Sequence, residues 1–502
     1  MKIYDYICSL FLVRLKMKAY KTLLFIAGVF LLMGLGWVFF PAEGVDVGNV
    51  KLRFMSMERS LENLTAEKQA VDVDAVLENA DKDFELIASS MADTLDFYRN
   101  FLFSNPNRIS VPGGDWRFFD SVFSDMESAR RKGRIVRVVH YGDSQIEMDR
   151  ISADIRDGLQ KRFGGNGTGM FPALSNVPSG SVYKGASGGM VHYTMYGDST
   201  TRRAPHNRYG VLAQLTSLSG GGTVSMRASK ATYVLERTKQ FTRVSLLMGR
   251  NSDGFKAKVY SDTTKLDEYV CAKDSLGAVW LTWQFPRPVS KAVLSMKGSA
   301  EIYGIATDGD SGVAVDNVPL RGSSGTIFSR IDKNVMRRSM ALDNTRLIIL
   351  QFGGNYMPSI SSTKMIEGYM EKIAAQIAYF KEVAPQAKII FIGPSDMGKS
   401  VNGKIVTWPR LPELVDALRT TALNSGAAFY DLYQMMGGEN SMREWVRHNP
   451  PYAGPDYIHF TTKGARIAGE AFTRSLLVYY DFYRLRKTIP EETVRKYMRR
   501  ND

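Results

Sequence analysis

Ile135-Val136-Arg137-Val138-Val139-His140-Tyr141-Gly142-Asp143-Ser144 is the stretch that decides the fold of this chain. Its first six residues are rich in β-branched side chains and read as a strand. The strand runs into a Gly-Asp-Ser turn. Beyond it Ile151, Ile155, Leu159 and Phe163 recur every four residues, one face of an amphipathic helix. Strand, turn and helix in that order place Ser144 at the C-terminal end of a strand, where open α/β sheets bind their ligands.

A serine hydroxyl is a weak nucleophile until a base takes its proton, and an acid bonded to the far ring nitrogen holds that base in the right tautomer. Five histidines are available. His140 lies on the strand itself and reads as a packed core residue. His192 and His206 fall in a β-rich segment, and His448 sits in a Pro-rich loop as the reserve candidate. His459 alone has an acid three positions before it, Asp456, and a helix start after it at Thr461-Thr462-Lys463-Gly464. Ser144, Asp456 and His459 are therefore the candidate nucleophile, orienting acid and base. Asn355, in Gly353-Gly354-Asn355 after an apolar strand, could offer a side-chain N–H to a developing oxyanion. The glycine-bearing run Arg321-Gly322-Ser323-Ser324-Gly325 could add a backbone N–H.

Two further Gly-Asp-Ser triplets are weaker. Gly197-Asp198-Ser199 and Gly309-Asp310-Ser311 have no helix pattern in the required place, and as turns they need no other explanation.

Working outward, strand and helix alternate again downstream. Residues 346–352, 388–393 and 427–431 read as apolar strands, and residues 364–383, 411–424 and 463–483 as helices. That alternation implies a parallel sheet covered on both faces. Between the two α/β segments, short alternating runs separated by Gly, Ser and Asp read as an antiparallel β-sandwich of the jelly-roll kind. The expected division is 1–21 cytoplasmic N-terminus, 22–40 transmembrane anchor, 41–114 stalk or membrane-proximal helical region, 115–190 and 315–485 the two parts of the α/β domain, 191–314 the inserted β-sandwich, and 486–502 a basic tail.

The anchor is read from an apolar run at residues 22–40. At 1.5 Å per residue it approaches the roughly 30 Å of a bilayer core. Arg14, Lys16, Lys18 and Lys21 precede it, so the positive-inside rule puts the N-terminus in the cytoplasm and the rest of the chain outside. A cleaved signal peptide is the rival, with a shorter apolar core. The expected localisation is thus a single-pass inner-membrane protein with its catalytic domain in the periplasm or another extracytoplasmic space. Of the two cysteines, Cys8 would lie on the opposite side of the membrane from Cys271, which leaves no intramolecular disulfide and no thiolate metal site. The net charge of +14 suits work near anionic envelope polymers or lipid headgroups. No interleaved basic and aromatic motif points to nucleic acid.

As a set, these motifs resemble the SGNH/GDSL hydrolase superfamily, named for Ser, Gly, Asn and His in four sequence blocks. Gly142-Asp143-Ser144 looks like the first block, Gly353-x-Asn355 the third and Asp456-x-x-His459 the fifth. Gly322 or Gly325 would be the second-block glycine, with Gly322 preferred after Asp316-Asn317-Val318-Pro319-Leu320-Arg321. Tyr356 departs from the family, which often has an acidic residue there. The resemblance implies a flavodoxin-like parallel sheet, ester chemistry without metal or organic cofactor, and an oxyanion hole of Gly322 and Asn355 with the Ser144 N–H. A long β-insert between the first two blocks looks like the envelope peptidoglycan O-acetylesterases of Gram-negative bacteria. The segment from His140 to Ile151 is also similar to theirs. The expectation is a serine O-acetylesterase acting on an acetylated polysaccharide, peptidoglycan first, with an O-acetyltransferase or a glycan-binding scaffold as alternatives. Trp280, Trp283 and Tyr303 of the insert would either stack on sugars or fill its core.

Overall fold

The structure is a computed structural model that describes residues 19–39, 45–47, 50–52, 70–86, 88–197, 201–231, 234–262, 264–273 and 278–498. Most of the expected cytoplasmic segment, much of 41–69, Asp198 and Ser199 of one weaker triplet and the last residues of the basic tail lie outside these. The chain divides into two compact units, Met1–Ala70 and Val71–Asp502.

In the first unit a helix spans Ala19–Phe39, and Val45–Val47 pairs antiparallel with Val50–Leu52. Among the described residues no helix is long and apolar enough to cross a membrane. Lys21 falls in the first turn of the 21-residue helix. Gly28 and Gly34 dilute its apolar surface further. The expected fold is corrected on this point: the transmembrane anchor at 22–40, the membrane as a partner and the single-pass inner-membrane placement all fall with it.

The second unit is mixed α/β. In chain order it holds α1 (Val73–Asp83), α2 (Met91–Ser104), β1 (Ile109–Ser110), α3 (Asp120–Arg131), β2 (Ile135–Gly142) and α4 (Ser152–Phe163). Seven strands follow: β3 (Gly167–Phe171), β4 (Val182–Thr194), β5 (Gln214–Ala228), β6 (Phe241–Ser261), β7 (Thr264–Cys271), β8 (Val279–Val289) and β9 (Lys291–Asp308). Then come β10 (Gly312–Pro319), α5 (Lys333–Leu342), β11 (Thr345–Gln351), α6 (Thr363–Val383), β12 (Lys388–Ile392), α7 (Leu411–Asn424), β13 (Ala428–Tyr430) and α8 (Thr462–Arg486).

A six-stranded sheet runs β10-β2-β11-β12-β13-β1. Its first five strands are parallel, and β1 pairs antiparallel with β13 at the edge. Counted along the chain, the parallel strands stand in the order 2-1-3-4-5, whose switch point lies between β2 and β11. Alternate residues of each strand enter different cores. Val136, Val138, Leu347, Ile349 and Ile390 meet α2, α3, α4 and α8 on one face. Val139, Tyr141, Ile348, Leu350 and Phe391 meet α5, α6 and α7 on the other. Two buried faces are why these strands read as nearly unbroken apolar runs. The region expected as a stalk contributes directly: Leu95, Tyr98, Phe101 and Leu102 of α2 are buried in the first core.

The antiparallel part, expected as a β-sandwich of the jelly-roll kind, is continuous in its hydrogen bonding. It is one hydrogen-bonded sheet of seven strands, β8-β6-β9-β5-β4, with β3 on β9 and β7 on β6. The reason lies in two long strands, β6 with 21 residues and β9 with 18. Their pairing shifts register between Gly298 and Gly304. Val244, Leu246 and Met248 share a core with Phe255, Ala257 and Val259 of the same strand, so the sheet folds over its own apolar face. Bulges and glycines allow such corners without separating two sheets. Trp283 and Tyr303 are buried, and Trp280 is partly buried against the second core, so they pack the interior.

Candidate active site

The switch point between β2 and β11 gathers the residues singled out from the sequence. β2 ends at Gly142, and Asp143 and Ser144 follow on a short 3-10 turn. A Cβ on Gly142 would stand 2.9 Å from Ile146, so the turn closes tightly only with glycine there. The Asp143 carboxylate is buried and accepts from the Gln145 N–H at 2.9 Å and from Asn355 Nδ2 at 3.0 Å. Burial pushes its pKa up to about 6, against the pull of the Gln145 N–H, the nearby His459 and Asn355.

Ser144 Oγ stands 2.7 Å from His459 Nε2, and His459 Nδ1 stands 2.7 Å from Asp456 Oδ2. The remaining Asp456 oxygen accepts from the N–H groups of Ile458 and His459, each at 3.0 Å. Burial opposes ionisation of Asp456, but these hydrogen bonds together hold its carboxyl below the usual range. An ionised Asp456 fixes a proton on Nδ1 and leaves Nε2 to accept from the serine, the tautomer a general base needs.

The competing histidines are placed elsewhere. His140 is fully buried between Gln351 and Ser152, and burial drives its pKa down to about 3. His448 stacks on Tyr452 with ring centroids 3.8 Å apart and reaches Asp74 at 3.1 Å. His192 bonds Gln214 at 2.9 Å, and His206 lies 3.2 Å from Glu301.

Asn355 follows β11 and faces the nucleophile turn. Its Nδ2 also donates to Ser323 O at 3.3 Å, which brings the 320–325 loop alongside. Both glycines of that loop have left-handed backbones, Gly322 with φ 76° and Gly325 with φ 76°. A Cβ on Gly325 would strike the Phe352 ring at 2.5 Å, and the Gly325 N–H is bound to Ser323 Oγ at 3.1 Å. Gly322 is exposed and looks toward Tyr196, whose hydroxyl would be 2.7 Å from an added Cβ. A cleft of about 130 Å³ is lined by Ser144, His459, Asn355, Gly354, Pro394 and Met397 among others, but by neither Gly322 nor Gly325.

Several contributors carry no sequence signal that reasoning caught. Met148, Asp149 and Ile151 have φ of 59°, 62° and 63°, a left-handed backbone that β-branched Ile151 strongly disfavours. The turn is held by the Asp149 carboxylate, which accepts from Ser179 Oγ at 2.7 Å, the Gly180 and Ser181 N–H groups at 3.1 Å, and Arg156 at 3.2 Å. Arg321 grips Glu147 with two hydrogen bonds of 2.5 and 2.7 Å. The result aims Arg150 at the Ser144 carbonyl, 2.5 Å away, and at Phe460 O, 3.3 Å away. Three charged side chains, Glu147, Asp149 and Arg150, within four residues are the one hint in the sequence.

The strand order 2-1-3-4-5, with Ser144 at the switch point and Asn355 after the neighbouring strand, is the flavodoxin-like parallel sheet that the resemblance implies. Comparison with solved structures agrees. The chain is similar to a peptidoglycan O-acetylesterase, at 20% identity and a TM-score of 0.56, over 76% of this chain and 97% of that one. It also aligns with a family two carbohydrate esterase from Cellvibrio japonicus, at 11% identity and a TM-score of 0.19, over 50% of this chain and 88% of that one. A GDSL-like lipase from Parabacteroides merdae aligns at 13% identity and a TM-score of 0.25, over 33% of this chain and 74% of that one. At these identities the likeness is one of fold, and the first of the three carries it. No protein-family model and no curated protein matches the chain.

Proposed function

We propose that this protein is a serine esterase that removes O-acetyl groups from a cell-envelope carbohydrate, peptidoglycan first. The observation that carries the reading is the unbroken relay from Ser144 Oγ through His459 to Asp456, with both links at 2.7 Å. Ser144 Oγ attacks the acetyl carbonyl while its proton passes to His459 Nε2. His459 then protonates the departing sugar oxygen. Water, deprotonated by His459, attacks the acetyl-serine and releases acetate. The Ser144 N–H and the Asn355 side chain, on releasing Ser323 O, would receive the oxyanion, while the expected loop glycine, Gly322, does not line the cleft. A cleft of about 130 Å³ suits a small acyl group, with the polymer held outside. The choice of peptidoglycan is supported by the similar structure of a peptidoglycan O-acetylesterase, which shares most of its length with this chain.

The test is acetate release from O-acetylated peptidoglycan and from acetylated xylan, with Ser144→Ala as control. Serine-dependent release from peptidoglycan is the expected result. Release from xylan alone keeps the mechanism and moves the substrate. Release from neither by the folded protein, with consumption of an acetyl donor only when a sugar acceptor is present, would replace hydrolysis by transfer.

A further inference from the structure

We propose that Gln145 is a positioning residue that sets the distance between nucleophile and base; the inference rests on the reading of Ser144 and His459 as that pair. Gln145 follows Ser144 directly, and its side chain reaches across to the loop that carries His459. Its Nε2 donates to Ile458 O at 2.7 Å, and its Oε1 accepts from the Phe460 N–H at 3.2 Å. These are the two residues that flank His459. The second Nε2 proton goes to Ser395 Oγ at 3.1 Å. The orientation of the amide follows from the partners, because a backbone N–H can only donate and a backbone carbonyl can only accept.

The backbone of 458–460 is thereby fully satisfied. Ile458 N–H and His459 N–H go to Asp456, and His459 O accepts from Gly454 N–H at 2.7 Å. Phe460 O accepts from Arg150. That leaves Ile458 O and Phe460 N–H, and one carboxamide serves both. At the other end, the Gln145 N–H is held by the buried Asp143 carboxylate. The side chain is buried, with no slack on either side. Any shift of the amide is therefore transmitted to the 2.7 Å contact between Ser144 Oγ and His459 Nε2.

Only a carboxamide of this length both donates and accepts here. Leucine has similar bulk but strands a buried carbonyl and a buried N–H, groups that are costly to leave unpaired. Glutamate keeps the acceptor for Phe460 N–H, turns a lone pair on Ile458 O and adds a negative charge close to His459. A nearby anion favours the protonated imidazole, so the base would lose its proton only at higher pH.

The experiment uses the full chain and 4-nitrophenyl acetate, with a fluorophosphonate label as a direct readout of Ser144 reactivity. Gln145→Leu is expected to lower kcat about 10–100-fold, the scale of a misplacement of 1 Å or less, with KM changed less than about twofold. Labelling should slow by a similar factor. Gln145→Glu is expected to move the acid limb of the kcat/KM profile to higher pH. A folded Gln145→Leu with kcat within about twofold of the parent would overturn the inference, as would a Gln145→Glu profile superimposable on the parent's; these factors lie well below the misplacement effect. If Gln145→Leu does not fold, the Gln145→Glu profile decides. A parent protein with neither Ser144-dependent turnover nor labelling would instead bring down the esterase reading itself, and this inference with it.

Discussion

The triplet Gly-Asp-Ser stands at both rims of the same sheet, and only one copy meets a histidine. At 142–144 it follows the C-terminal end of β2; at 309–311 it precedes the first residue of β10, which pairs Gly312 with Ile135 at the opposite rim. Asp143 is buried and organises Gln145 and Asn355, while Asp310 is exposed and accepts from Thr242 and Gln284. Composition is the same in both turns, so polarity of the strand makes the difference. In a parallel sheet every βα-loop arrives at the C-terminal rim, and that rim alone can collect Ser144, Asn355 and His459 from distant parts of the chain.

The sharpest way to break this contrast is to mutate both serines. Ser144→Ala should lower ester hydrolysis by on the order of 10³-fold or more, the scale of losing a triad nucleophile. Ser311→Ala should leave it within about twofold, as a surface turn substitution does. Equal losses would show that the two rims are not distinguished in the way described. Next in size, Asn355→Ala should reduce kcat by about 10²–10³. Its thermal unfolding midpoint should move little, because Asn355 is exposed and its partner Asp143 keeps the Gln145 N–H.

The smallest effect concerns stability at the active rim. Asp396, beside the cleft residues Ser395 and Met397, is buried, accepts from Thr407 Oγ1 and Met442 N–H at 2.8 Å, and has its pKa raised by burial to about 6. A carboxyl with a raised folded-state pKa holds its proton more tightly in the folded protein. Its contribution is therefore complete below the unfolded value near 4 and is lost as pH rises through about 6. Asp396→Asn should flatten the decline of the unfolding midpoint between about pH 4 and 6. An unchanged slope over that window would refute the assignment.

Periodicity made the parallel sheet legible, since apolar strands and four-residue repeats survive in any one sequence. The meeting of Ser144 with His459 and Asp456 was legible because strand, turn and helix converge at Ser144 and because Asp456 and His459 sit three apart. What escaped depends on long-range partners. Gln145 gains its role only when residue 145 meets 458 and 460, and nothing in its neighbours announces that. The strained turn at 148–151 is held by Ser179, Gly180 and Ser181, about thirty residues on. The alternating runs of the insert look short in the sequence. The strands are long, and glycines interrupt their pattern without ending them. The apolar run at 22–40 reads as an anchor by its hydrophobicity, but among the described residues no helix is long and apolar enough to cross a membrane.

Arg137 on β2 is wholly buried and touches Asp308 at 2.7 Å, Asp316 at 2.8 Å and Asp343 at 2.5 Å, residues from the end of β9, from β10 and from the turn after α5. The same strand that leads into Ser144 is thus riveted to the antiparallel sheet at its base. For anyone wishing to treat the insert as a detachable cassette, this is the obstacle. Cutting it out between β3 and β10 removes Asp308 and strips one acidic partner from a cation that water cannot reach. A graft would have to bring a carboxylate back to the same spot, so the two sheets are inherited, and engineered, as one piece.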